Sequence, residues 1–384
     1  MAIPVLVVEL TVVAALILRS LNRSLSSLKQ SRRSVLILFA IWIVSAGYSN
    51  LAATANPPAA YYHFGLTLFH VLMAWLIKSD FDQSPEFAKT TLKAIVVGLS
   101  VYALIVLAFA ATVTNGDLGF WRSLGAGVTN VRHLNNYALI LFCLAGAWYV
   151  SWPKDAGRNV AAASTVLALF LIYWTGGRGA FLAAHIVLLL LLLLYRDRGS
   201  GQLLKLVVIS TLLVVPLAQL TAPPSPDYGP LNMFQIVPGS PSSGGDFSAG
   251  RNEMWQESLV LISERPWFGY GEAQFRWVAA FAGGHYNHPH NILLQMTFQW
   301  GLIGFGLLLF WLFNLMPISQ LASAVKNRTQ VPALIVIIGL LGISLVDGPL
   351  FYHFPAMIFA ICLAAFISAS RSTTLKQITG KEHV

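Results

Sequence analysis

Charge is what this sequence has least of. Only 10% of its 384 residues are Asp, Glu, Lys or Arg, where soluble domains carry about 25%. A soluble fold would need a very large core under almost no polar surface. Cysteine is nearly missing too. Cys143 and Cys362 both fall in apolar runs, so buried thiols are expected, with no disulfide framework and no metal site. Acidic residues are scarcer than basic ones, 15 against 24, for a net charge of +9. In so apolar a chain that excess is expected to set orientation in a membrane, not to bind nucleic acid. No basic residue precedes the first apolar run, which carries Glu9. It is read as a transmembrane helix and not as a signal peptide.

What the sequence has in quantity is apolar length, with 56% hydrophobic residues. Apolar runs long enough to cross the roughly 30 Å hydrocarbon core as helices recur along the chain, and spans are read near 2–18, 34–53, 61–77, 94–113, 137–151, 159–176, 179–195, 206–221, 291–316, 331–348 and 355–370. The expected fold is an all-α, polytopic transmembrane bundle of eleven or twelve spans. Residues 1–220 hold the first eight spans, 221–290 form one long loop, and 291–384 hold the last spans and a tail.

The loops alternate in charge. Eighteen of the 24 basic residues fall in one set, and the other set holds Arg122, Arg132, Arg178, Arg251, Arg265 and Arg276. The basic set is expected in the cytoplasm, which turns the N-terminus and the long loop outward. The outward set contains arginine and no lysine. Guanidinium is planar, permanently charged and able to bind phosphate through two parallel hydrogen bonds. In the long loop, residues 221–249 are rich in Pro, Gly and Ser, which disfavours regular structure. Residues 251–264 read as a short helix with Met254, Trp255, Ser258, Leu259 and Ile262 on one apolar face, ended by Pro266.

Several polar residues stand out. Arg178, in Thr175-Gly176-Gly177-Arg178-Gly179, lies at the hydrocarbon boundary. It is either an interfacial anchor or, with the glycine amides, part of an anion site. Arg251 opens the loop helix, where a cation is unfavourable unless an anion is also bound. Arg132 precedes His133, and Arg265 and Arg276 flank the turn after the loop helix; the last two read as surface residues when taken alone. His290, beside Asn291, sits at the mouth of a span and is suited to take a proton from an alcohol. Asn291 can orient the His290 ring or bind a sugar hydroxyl. His285, His288 and His290 do not have the spacing of a helical metal pair, so no metal is expected. Asp347 and His353 can line the same cavity, and His185 can face the bundle below Arg178. Asp80-Phe81-Asp82 reads as a solvated cytoplasmic loop.

Three stretches together resemble the O-antigen ligase superfamily, which also contains O-antigen and exopolysaccharide polymerases. They are Gly177-Arg178-Gly179-Ala180-Phe181-Leu182, then Gly250-Arg251-Asn252-Glu253-Met254-Trp255 with Glu264-Arg265-Pro266-Trp267-Phe268-Gly269-Tyr270-Gly271, and finally His290-Asn291 followed nine residues later by Gly301-Leu302-Ile303-Gly304. The last is similar to the ligase pattern His-[Asn/Ser/Gln]-x9-Gly-x-x-[Gly/Thr/Tyr]. The resemblance implies an inverting, metal- and cofactor-independent glycosyltransferase of the bacterial inner membrane, working on the periplasmic face. It implies an undecaprenyl-diphosphate-linked glycan as donor and lipid A–core or a second glycan as acceptor. It implies Arg178, Arg251 and His290 as catalytic, with Asn291, Arg265, Arg276, Arg132 and His288 in substrate binding. A polymerase would use the same donor and chemistry. A transporter would instead place ionisable groups at mid-membrane and show repeated halves.

Overall fold

The computed structural model describes residues 2–29, 33–112, 131–195, 198–223, 228–234, 250–280, 283, 286–316, 328 and 330–379. Arg122, His285 and most of the Pro/Gly/Ser-rich stretch before the loop helix lie outside them. The chain is all-α, with no strand among the described residues.

Apolar helices occur at each of the eleven expected places, six of them long enough to cross a membrane and five shorter. In order they are α1 (Ala2–Lys29), α2 (Arg33–Leu51), α3 (Pro57–Gln83), α4 (Pro85–Thr112), α5 (Val131–Ser151), α6 (Arg158–Trp174), α7 (Arg178–Leu194) and α8 (Arg198–Thr221). After a short α9 (Pro230–Met233), the loop helix α10 (Arg251–Glu264) and a one-turn α11 (Phe275–Val278), the bundle resumes with α12 (Ile292–Leu315) and α13 (Val331–Ile343). A 3-10 turn (Pro349–Phe351) then leads into α14 (His353–Thr379).

Helix α5 is the hub. Its side chains from His133 to Trp148 are all buried, as expected of a helix that is apolar all round. It packs against α4, α6, α7, α8, α13 and α14. It starts six residues before the expected span, at Val131, so Arg132 and His133 sit on its first turn and not in a loop. Asp80 and Asp82 also correct the sequence reading. They occupy the last turn of α3, where Asp80 is buried 3.6 Å from Arg19 Nε and Asp82 pairs with Lys78.

A second layer is built on α12. The helix is broken at Gly301, whose φ of 66° and ψ of −177° are non-helical. A break at membrane depth frees backbone groups that lipid cannot satisfy. The turn after α10 satisfies them. The amides of Tyr270 and Gly271 donate to the carbonyls of Phe298 and Gln299, both at 2.9 Å. Those of Leu302 and Ile303 donate to the carbonyls of Pro266 and Trp267, at 2.7 and 3.2 Å. A Cβ on Gly301 would lie 2.2 Å from the Trp267 carbonyl carbon, and one on Gly269 would lie 2.4 Å from Phe298 O. Glycine is therefore required on both sides of this joint.

The next residues lock the same turn to α2 and α3. Glu272 N–H donates to Asn50 Oδ1 at 2.9 Å, and the Gln274 side-chain amide exchanges hydrogen bonds with the Asn56 backbone. Helix α10 thus packs over the bundle through Met254, Leu261 and Ile262 against Tyr270, Phe275 and Phe298. Leu259, expected on that face, is 57% exposed.

Candidate active site

The joint between the long loop and α12 is a tight turn, His288-Pro289-His290. His290 has a φ of 52°, a left-handed conformation costly for a residue with a Cβ and typical of functional turns. The turn is held from several directions. Asn291 caps α12, its Oδ1 accepting from the amides of Leu293 and Leu294, while its Nδ2 donates to Leu345 O at 3.1 Å. Ile292 N–H donates to Ser344 O at 2.7 Å. Both bonds tie the start of α12 to the segment that follows α13.

That segment carries Asp347. His290 Nδ1 lies 2.9 Å from Asp347 Oδ1, which also accepts the Gly348 amide at 2.8 Å. Burial alone would raise the Asp347 carboxyl. The hydrogen bond and charge of His290, the His288 ring and the Gly348 amide outweigh it and hold the group well below the usual carboxylate range. With Asp347 ionised, His290 Nδ1–H donates this hydrogen bond, and in the neutral form of the ring the lone pair is then on Nε2.

His288 stands behind this pair. It is buried, with its ring 4.2 Å from that of His290, and its Nδ1 accepts the His290 backbone N–H at 3.2 Å. Burial first, and then the His290 charge, keep it neutral by pushing its pKa well down, against a smaller opposing pull from Asp347. A Cβ at residue 348 would fall 1.9 Å from His288 Cε1, so Gly348 is what lets this ring pack there. The same ring meets Tyr352, which is stacked edge-on with His133 of α5 at 4.1 Å.

Arginines converge on this turn from three helices. Arg251 opens α10 after Gly250, whose φ is 76°. One helical turn further, Trp255 Nε1 donates to Pro289 O at 2.9 Å, which places that helix face over the histidine turn. The Arg251 pKa is lowered by burial first, then by the guanidiniums of Arg132 and Arg178; the Asp347 carboxylate and Tyr286 oppose them. Two further guanidiniums and one carboxylate therefore act on Arg251.

Arg178 opens α7 after Gly177, where a Cβ would lie 1.7 Å from Asn135 Nδ2 on α5. On its other side, a Cβ on Gly179 would meet Val346 at 3.3 Å. The start of α7 is thus wedged between α5 and the Asp347 segment. Arg178 Nη1 is buried with no hydrogen-bond partner. A buried donor left unpaired is costly, and here it is a hydrogen-bonding group suited to an anion.

Of the residues singled out in the sequence, Arg132, Arg178, Arg251, His288 and His290 come together, with Asn291 fixing the turn. Arg265 and Arg276 do not join them. Both are exposed, lying over the Tyr270 ring at 4.6 Å and the Trp277 ring at 5.6 Å. His185 bonds to Phe181 O in its own helix, at 2.8 Å. Among the described residues, no group of three or more His, Cys, Asp or Glu is arranged to hold a metal ion. Asp347 was legible as a residue able to line the cavity, but not as the partner of His290. Glu272 and Gln295 gave no signal in the sequence.

Beneath the turn, a cavity of about 790 Å³ runs between α2, α3, α12, α13 and α14. Its walls are mostly apolar, with His63, His70, His353 and Glu272 among the lining residues.

No curated protein matches the chain. The O-antigen ligase family model matches residues 163–309. That segment includes Arg178, Arg251, His290, Gly301 and Gly304, and leaves Arg132 and Asp347 outside. The match supports placing this multi-pass helix bundle in the O-antigen ligase superfamily, among membrane glycosyltransferases of the ligase and polymerase type.

Proposed function

We propose that the protein transfers a glycan from undecaprenyl diphosphate to an acceptor hydroxyl on the periplasmic face of the bacterial inner membrane. In this reading it is an O-antigen ligase joining O-antigen to lipid A–core. The observation that carries the proposal is the convergence of Arg132, Arg178 and Arg251 on one part-buried His290–Asp347 pair. This pairs an anion site with a general base.

The chemistry follows from those groups. The donor diphosphate sits against Arg178 and Arg251, with Arg132 adding charge. As the bond between the anomeric carbon and the diphosphate oxygen breaks, its electron pair passes to the diphosphate. Fixed guanidiniums in a low-dielectric site stabilise that growing charge and take the part a metal ion plays elsewhere. Asp347 holds the His290 ring with Nε2 open, and Nε2 removes the acceptor hydroxyl proton as its oxygen bonds to the anomeric carbon. Attack opposite the leaving group inverts that carbon.

A polymerase would use the same donor side with a second lipid-linked glycan as acceptor. A strain lacking the protein separates the two by lipopolysaccharide gel. The ligase reading expects core without long chains, and lipid-linked polymer accumulating. A single repeat capping the core would mean a polymerase. Unchanged lipopolysaccharide would overturn the ligase assignment.

A further inference from the structure

The turn that closes α10 rests on the ends of two spans. Glu272 N–H meets Asn50 in the last turn of α2, and Gln274 meets Asn56, which caps α3. A Cβ on Gly271 would lie 3.0 Å from Ala53 and 3.1 Å from Ser49 O. Helix α2 has 19 residues and is apolar enough to cross a membrane. At 1.5 Å per residue it is about 28 Å long, close to the thickness of the hydrocarbon core. Its end, and the turn seated on it, therefore fall at the boundary between hydrocarbon and headgroups.

The side chains there suit that depth. Trp267 is 61% exposed and Trp277 54%, and Phe268 packs edge-on against Tyr48 at 4.8 Å. Tyr48, Tyr61 and Tyr62 are exposed at the adjoining ends of α2 and α3. Tryptophan and tyrosine gather at this boundary because one end of each ring system is apolar and the other polar. The patch continues into the flanks of two spans, where Val44 of α2 and Leu302 of α12 are exposed. The backbone bonds from Leu302 and Ile303 to Pro266 and Trp267 make the two surfaces one. Arg265 and Arg276 stand exposed on its rim, each over an aromatic ring. No salt bridge among the described residues includes either of them. A guanidinium at headgroup depth is placed to donate to lipid phosphate oxygens.

We infer that this patch is a membrane anchor. It seats the end of the loop helix in the headgroup layer on the site side, with Trp267 and Trp277 at the hydrocarbon boundary and Arg265 and Arg276 on the phosphates of anionic phospholipids. Arg251 opens the same 14-residue helix, so the anchor also fixes the height of that guanidinium over the lipid. Such an anchor is independent of the group the site transfers.

The test uses the purified full chain in nanodiscs of phosphatidylcholine and phosphatidylglycerol. Cys143 and Cys362 are 1% and 0% exposed, so a nitroxide reagent reacts at an introduced thiol and not at these. Trp267→Cys and, as a second position, Trp277→Cys carry the label, with Phe310→Cys on the exposed flank of α12 as the lipid reference. Power saturation compares collisions with oxygen, which concentrates in lipid, and with a water-soluble nickel chelate. Both turn positions should favour oxygen, though less than the reference, which lies deeper. Chain-labelled phosphatidylglycerol should prefer the protein boundary over labelled phosphatidylcholine, and Arg265→Gln with Arg276→Gln should lower that preference by about half. Nickel collisions prevailing at either tryptophan position would overturn the anchor. So would dipolar broadening between labels, which would put a second copy of the chain on the patch. An unchanged lipid preference in the arginine variant would overturn the phosphate contacts.

Discussion

The two ends of the bundle handle positive charge differently. At the end away from the site, basic side chains meet acids and aromatic faces. Lys93 and Lys89 both reach Asp155, Lys78 pairs with Asp82, Arg158 lies over Tyr149 at 4.1 Å and Arg328 over Tyr195 at 5.4 Å. At the site end, Arg132 and Arg178 both act on Arg251, and Asp347, the carboxylate acting on Arg251, is already engaged by His290. A cluster of cations acting on one another's titration beside a histidine turn is suited to an anionic ligand.

Substitutions should separate the ends sharply. His290→Ala, Arg178→Ala and Arg251→Ala should each lower glycan transfer by about a hundredfold or more, with membrane insertion unchanged in a fractionation assay. Asp347→Asn keeps the shape but loses the charge that fixes the His290 tautomer. Its kcat should fall by roughly a hundredfold, with less effect on donor KM, in steady-state transfer assays. Gly301→Ala should cost about 2 kcal/mol or more, because a Cβ there meets Trp267 backbone at 2.2 Å in a left-handed conformation. Thermal unfolding of the purified protein reads this directly.

Glu272 gives a pH signature. Burial, opposed by the Thr67 and Trp300 hydrogen bonds, raises its pKa from 4.5 to about 7. The folded protein then holds a proton that the unfolded chain has released, so stability falls as pH rises from about 4.5 to about 7 and levels above. Glu272→Gln should flatten that slope in a melting-temperature series. At the opposite end, Lys93→Ala should leave transfer within about twofold and cost under about 1 kcal/mol, since a partly exposed ion pair contributes little.

The sequence made the spans legible because hydropathy is local. Arginine without lysine in one set of loops, and the spacing from His290 to Gly301, also pointed to the right end of the molecule. What it left hidden depends on partners far along the chain. Asp347 meets His290 across 57 positions, and Glu272 meets Asn50 across 222. The break at Gly301 looked like a glycine inside one long span, because its hydrogen bonds come from a turn 28 to 36 residues earlier. Arg132 looked like a loop residue because the polar first turn of α5 hides the start of a buried helix.

One measurement bears on the central claim most directly. Purified wild-type and His290→Ala proteins, given an undecaprenyl-diphosphate-linked glycan and a lipid A–core acceptor, are compared for donor binding and for transfer. The account predicts that the variant binds the donor like wild type and transfers nothing detectable. Transfer at the wild-type rate by the variant would contradict it.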